Sequence, residues 1–293
     1  MRRLMAVVAV LSTTVGLAAQ WPRKIDPAVP RDAQGQVRMD APTPRTVDGW
    51  PDFSGTWMRA DSGPARGGRG RNAGAGIEVP IEPFPHDPTG PPVATFFDAG
   101  ANMEGGLPLT PWAAEIKKAR MAQNSKDNPD AMCLPMGHLQ FHLQPQPRMI
   151  LQTPKMILIE YEANSGIRHI YLDGRSLPPQ GEPQPWWYGY AVGRWEGDTL
   201  VVETNNLRGA EDGPFDGWLD VNGSPYSSHA RIIERIRRPT FGQLQIDLTV
   251  QDPKAYTKLW TVRVDQRYFP DQELIEAICN ENQQFRRRIQ IDK

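Results

Sequence analysis

The chain has 293 residues, with 33 Lys and Arg against 34 Asp and Glu and a formal net charge of −1. Acids and bases are well mixed, so the balance offers no electrostatic footprint for nucleic acid or for an anionic membrane surface. About 150 residues suffice for one β domain, which leaves room for appended segments.

Residues 1–19 place Arg2 and Arg3 before an apolar stretch from Leu4 to Leu17, with the small residues Gly16 and Ala18 near a cleavage point. That is the pattern of a secretory signal peptide. The run is too short, and too interrupted by Ser12, Thr13 and Thr14, for a membrane span, and no later segment approaches one. The mature chain is therefore expected to be periplasmic or secreted, with no membrane span. Cys133 and Cys279 survive cleavage, and in an oxidising compartment such a pair predicts one disulfide. It closes a loop of roughly 150 residues, worth roughly 5 kcal/mol in the chain-entropy account.

Residues 20–50 are polar and punctuated by proline, which predicts an extended or wrapped arm. Residues 51–107 begin with a short strand candidate carrying Trp57 and continue through "GPARGGRGRNAGAG" and "IEVPIEPFPHDPTGPP". Such composition buries too little apolar surface to hold a core, so a flexible insertion of little consequence for stability is expected. Residues 108–293 are expected to form a helix plus an antiparallel β domain. Thr110 is a good N-cap, Pro111 suits the first helical position, and Ala113 to Ala122 has strong helix propensity.

His138 and His142 stand four apart in "GHLQFHLQPQP". On a helix they would share a face and chelate a metal. Gly137, Pro145 and Pro147 favour a loop or extended segment instead, where the two lie about 13 Å apart, too far to share an ion. Neither a metal site nor a cofactor is expected on that reading.

From Met149 onward the pattern is β. Ile157, Ile159 and Tyr161 alternate with polar or outward residues, "NSG" makes a turn, and Ile167, His169 and Tyr171 resume on the returning strand. In "GRWEGDTLVVET", Gly197 between Glu196 and Asp198 supplies the positive φ that a tight hairpin requires, with Asp198 bonding local backbone. A long strand runs from Ser227 to Arg238, where Ala230, Ile232, Glu234 and Ile236 share one face. Strands follow around Leu244 to Val250, Trp260 to Val264 and Glu273 to Ile278. Roughly eight strands in hairpin succession imply an all-β antiparallel meander, and closure into a barrel or curled sheet removes its exposed edges.

"PDFSGTW" resembles the Gly-x-Trp opening of lipocalin-like barrels. The resemblance implies that Trp57 closes the barrel floor beneath one of Arg286 to Arg288. "CLPMG", "YLDGR", "GRWEGDTLVVET", "DPKAYTKLW" and "CNEN" resemble the signposts of a large uncharacterised group of secreted bacterial proteins. That likeness implies export and a shared β-rich body, and no reaction.

"PQPWWYGYA" sets Trp186, Tyr188 and Tyr190 on one face of a strand and Trp187 on the other, a candidate aromatic rim. Asp173-Gly174 reads as a turn, with Arg175 either pairing a nearby acid or free for a ligand carboxylate or phosphate. The reading that emerges is an exported barrel that binds a small, partly aromatic or apolar molecule. Trp186, Trp187 and Tyr188 form its rim, with Arg168 or Arg175 as polar anchor. The alternatives are a cofactor-independent lyase or hydrolase, with His138, His142 or His229 as base and Asp173 or Glu196 as acid or orienter, and an envelope scaffold. Oligomeric state is undetermined by the sequence.

Overall fold

A computed structural model of the protein describes residues 25–60, 88–181 and 184–279. The expected signal peptide, the "GPARGGRGRNAGAG" run and Arg286 to Arg288 lie outside the described residues. Nine strands close into one barrel in sequence order. They are β1 (Gly55–Arg59), β2 (Arg148–Gln152), β3 (Met156–Tyr161), β4 (Gly166–Tyr171), β5 (Tyr190–Glu196), β6 (Thr199–Asn205), β7 (Arg231–Thr240), β8 (Gln243–Gln251) and β9 (Trp260–Tyr268). The fold is all-β, as expected, but the barrel is mixed rather than wholly antiparallel. β4 and β5 run parallel through Ile170–Ala191 and Tyr171–Val192, while every other neighbouring pair, including the closing β1–β9 pair, is antiparallel. A closed ring with an odd number of strands cannot alternate all the way round, so one parallel pair is a necessity of closure. The long 172–189 connection carries the chain back along the barrel to make it.

Alternation along each strand sets the interior. On β3 Ile157, Ile159 and Tyr161 are buried, and on β8 Leu244, Ile246, Leu248 and Val250. β7 buries Ile232, Glu234 and Ile236 on the same face. It starts at Arg231, later than expected, and shifts register between Arg237 and Thr240, a bulge that accommodates Pro239 within a paired strand. On β4 the alternation resumes as expected. Gly166, Arg168 and Ile170 point inward, and Ile167 and His169 point outward. The expected strand from Glu273 to Ile278 does not form, because β1 and β9 already pair with each other.

The two ends of the barrel are closed differently. At one end Trp57 is fully buried with the Arg238 guanidinium 4.8 Å from its ring centroid, so the residue over the Trp is Arg238 of β7. The arm wraps this end, with Ala41 and Val29 packed on Phe241 and Arg31 paired to Asp271 at 2.5 Å. The other end, where β3 leads into β4 and β6 into β7, is plugged by helix α2 (His138–Leu143), all six of whose residues are buried. The longer helix α1 (Pro111–Ala122) lies within the same β1–β2 connection and is capped as expected, Thr110 Oγ1 accepting from Ala113 N. Residues 88–107 are not loose where they are described. Val93 bridges to Arg263, and Ala94 and Ala99 join the core. Cys133 and Cys279 are bonded, with Cα atoms 5.5 Å apart and 146 residues between them in sequence. No helix among the described residues is long and apolar enough to cross a membrane.

Candidate functional site

Helix α2 is the element that sequence periodicity misses. It follows Gly137, which offers no side-chain cap, and it ends at Leu143 because Gln144 is extended ahead of Pro145. A helix of this length does not hold itself in water. Its C-terminal carbonyls are satisfied by side chains from the barrel wall: His142 O accepts from Arg148 and Gln266, and Leu143 O from Arg59. These bonds supply the acceptor partners that a buried helix end requires.

The inner face of α2 presents His138 and His142, one turn apart with ring centroids separated by 6.0 Å. The separation expected from an extended segment is thereby corrected: the pair shares a helix face. Opposite them, β7 presents Glu234. His142 Nε2 lies 2.9 Å from Glu234 Oε1 and His138 Nε2 lies 3.2 Å from Oε2. Arg168 of β4 grips the same carboxylate with both terminal nitrogens, NH1 to Oε1 at 3.0 Å and NH2 to Oε2, and also donates to Thr204 Oγ1 at 3.2 Å. The side chains of the four residues are at most 3% exposed. Below this polar layer lies a void lined mostly by isoleucines such as Ile150, Ile159 and Ile246, with His142, Arg148 and Gln266 at its edge, that has room for about one water.

Electrostatics in the centre follow from burial and proximity. Burial pushes the Glu234 carboxyl up, but Arg168 and the two imidazoles outweigh it and hold the group well below the usual carboxylate range. Burial, with Arg168 adding to it, pulls His138 down, and burial brings His142 down to about 4. The centre at neutral pH is thus an ionised Glu234–Arg168 pair flanked by two neutral imidazoles. Tyr161, raised by burial, stays a neutral phenol beside them.

The other sequence candidates lie elsewhere. Asp173 and Arg175 bind each other at 2.6 Å on the surface, the Arg175 guanidinium lying 3.8 Å from the Tyr171 ring centroid. His229 is exposed, 4.0 Å from Glu211. Glu196 sits at the hairpin end, paired to Arg235. The expected aromatic row is not a strand face. β5 begins only at Tyr190; Trp186 is exposed, Trp187 packs under Arg208, and Tyr188 turns inward against Phe141. Of the expected ligand contacts, Arg168 alone belongs to the buried centre by its side chain, and Tyr188 contributes its carbonyl, 3.3 Å from His138 Nδ1. Glu234 was not expected in the site, because it faces away from His229 on its own strand. Its signal was a carboxylate in register with Ala230, Ile232 and Ile236.

His138, His142 and Glu234 offer three potential metal-ligand atoms within 4.8 Å of one another. Comparison with protein-family models, with curated proteins and with solved structures finds no match to this chain.

Proposed function

We propose that the protein is an exported binding barrel whose occupant is held at the His138–His142–Arg168–Glu234 centre and not at an aromatic rim. The observation that carries this reading is an ionised carboxylate gripped by a guanidinium and flanked by two imidazoles, all four side chains at most 3% exposed inside the barrel. A buried ion pair is a poor way to stabilise a fold, because apolar residues of similar volume usually do as well or better. The N-terminal apolar segment and the Cys133–Cys279 bond support export.

Native mass spectrometry of the untagged protein, recovered from the periplasm, tests the reading. A bound species is expected in the wild type and is lost in a folded Glu234→Gln variant. A wild type that carries nothing, and takes up nothing from a periplasmic extract, removes the binding role. A second reading, in which the four residues only lock the plug onto the barrel, draws support from the filled interior. It predicts that the variant changes unfolding and nothing else.

A further inference from the structure

The interior void holds about one water, so the closed barrel admits only a very small occupant. We infer that His138 Nε2, His142 Nε2 and the Glu234 carboxylate form a site for one divalent first-row transition-metal ion, with Arg168 fixing the carboxylate from behind. This rests on the reading of the centre as a binding site and names what it binds.

The donor set is two imidazoles one helical turn apart and a carboxylate from the facing strand. Two nitrogens and a carboxylate oxygen suit Zn2+ and its Co2+, Ni2+ and Cu2+ neighbours, whereas Ca2+ and Mg2+ seek oxygen. Around a tetrahedral ion the ligand atoms stand roughly 3.3–3.6 Å apart, since each bond is about 2.0–2.2 Å. The two nitrogen–oxygen distances of 3.2 and 2.9 Å are already near that spacing. The widest separation in the set, within 4.8 Å, is the one that has to shorten for the three atoms to share an ion.

The hydrogen bonding argues in the same direction. His138 faces an acceptor on both sides: the Tyr188 carbonyl at Nδ1 and the Glu234 carboxylate at Nε2. Only a ring carrying both N–H groups donates to both acceptors, and a ring with a single N–H sets one of these contacts lone pair against lone pair. An ion between Nε2 and the carboxylate removes the conflict. It leaves Nδ1–H to donate to the Tyr188 carbonyl, the outer bond that metal-bound histidines commonly make. His142 Nδ1 has no hydrogen-bond partner among the described residues, so the tautomer that frees Nε2 for a metal breaks no bond at Nδ1. Arg168 occupies one lone pair on each Glu234 oxygen and leaves the other for the ion. Because Arg168 already balances Glu234, a divalent ion brings two uncompensated positive charges, and the open fourth position favours water, hydroxide or a small anion.

The test uses the untagged full-length chain after export, stripped with a chelator. Co2+ is titrated with its visible ligand-field absorption as readout, and Zn2+ by calorimetry. One equivalent is expected in the wild type and in the surface control His229→Ala. At least a tenfold loss of affinity is expected in His142→Gln, read only if that variant keeps the wild-type circular dichroism. Imidazole 15N shifts of the wild type, with and without Zn2+, report coordination at His138 and His142 without any variant. Folded wild type that takes up no metal, or uptake with the His138 and His142 shifts unmoved, overturns the assignment. An organic molecule retained at the centre of a chain that binds no metal overturns the metal and leaves the binding reading standing. A chain that retains neither overturns both.

Discussion

Two proline-flanked segments carry the most conspicuous side chains in this chain, "GHLQFHLQPQP" around α2 and "PQPWWYGYA" before β5. The second is richer in aromatic surface, yet Trp186 stays 42% exposed, and of its described aromatic residues Tyr188 alone turns into the barrel. The first, with two histidines and three glutamines, is buried throughout its helix. Apolar content therefore does not decide which segment goes inside. α2 enters because Arg59, Arg148 and Gln266 bond its terminal carbonyls and Glu234 meets its imidazoles. An unpartnered polar group costs about 1–3 kcal/mol in an interior, so a segment whose terminal carbonyls and imidazole Nε2 atoms find partners is admitted while an aromatic one rests on the surface.

Removing one partner from the matched set is the sharpest way to break that comparison. Glu234→Leu leaves the Arg168 charge buried and unpaired and strips both imidazoles of their acceptor, an expected loss of about 3–5 kcal/mol. Urea unfolding measures it. Adding Arg168→Met on top of Glu234→Leu should recover much of the loss, because the lone charge is then gone. A neutral single variant would show that the centre is hydrated and that matching does not hold α2 in place.

The next effect comes from the staple beside the plug. Cys133 lies five residues before His138, so its bond to Cys279 restrains the approach to α2. Cys133→Ser with Cys279→Ser should cost about 2–4 kcal/mol in denaturant midpoint analysis. Hydrogen exchange in 137–144 should rise more than in 184–190 if the bond anchors the plug specifically, and a uniform rise would make it a whole-chain restraint.

The barrel was legible where alternation was unambiguous, as on β3, β7 and β8, because one buried face forces a period of two. On β4 two registers alternate equally well. Neither the set of Ile167, His169 and Tyr171 nor that of Arg168 and Ile170 declares itself inward, and Arg168 goes inside where Glu234 partners it. The parallel β4–β5 pair was illegible for a related reason, since alternation records which face a residue occupies and not the direction of the neighbouring strand. α2 was hidden because a six-residue helix with an uncapped start depends on bonds from β2 and from β1 and β9, the last two distant in sequence. The ingredients of the site could be read singly: two histidines at a helical interval, and a carboxylate in an apolar stripe. Only the closure of the barrel brings them together.

On the outer surface the expected costs are smaller and conformational. Gly197 has φ +58° at the first position of the two-residue turn between β5 and β6, and a Cβ there would meet nothing within 4 Å. Gly197→Val should therefore cost about 1 kcal/mol or slightly more, all of it backbone strain. Asp198 departs from the expected role of bonding local backbone and pairs instead with Arg45 of the arm at 2.6 Å. Thermal melts of Gly197→Val and Gly197→Ala together separate β-branching from positive φ itself.

The smallest expected effect is also the cleanest control on the inside–outside contrast, because the chemical change is the same at two glutamates. Glu196 binds Arg235 at 2.9 Å and Arg194 at 3.2 Å, but its side chain is 41% exposed and water competes for every contact. Hydrogen bonding from Arg235 holds its carboxyl below the ordinary range, so whatever stability its ionisation adds is present above the unfolded-state value. That share is lost as pH falls through the lower folded value. Salt screens such a pair over about 10 Å at 0.1 M ionic strength. Glu196→Gln should therefore melt with the wild type in moderate salt and retain whatever the centre binds, whereas Glu234→Gln loses the occupant under the same conditions. If Glu196→Gln instead abolished binding with its melt unchanged, the hairpin tip would replace the barrel interior as the site.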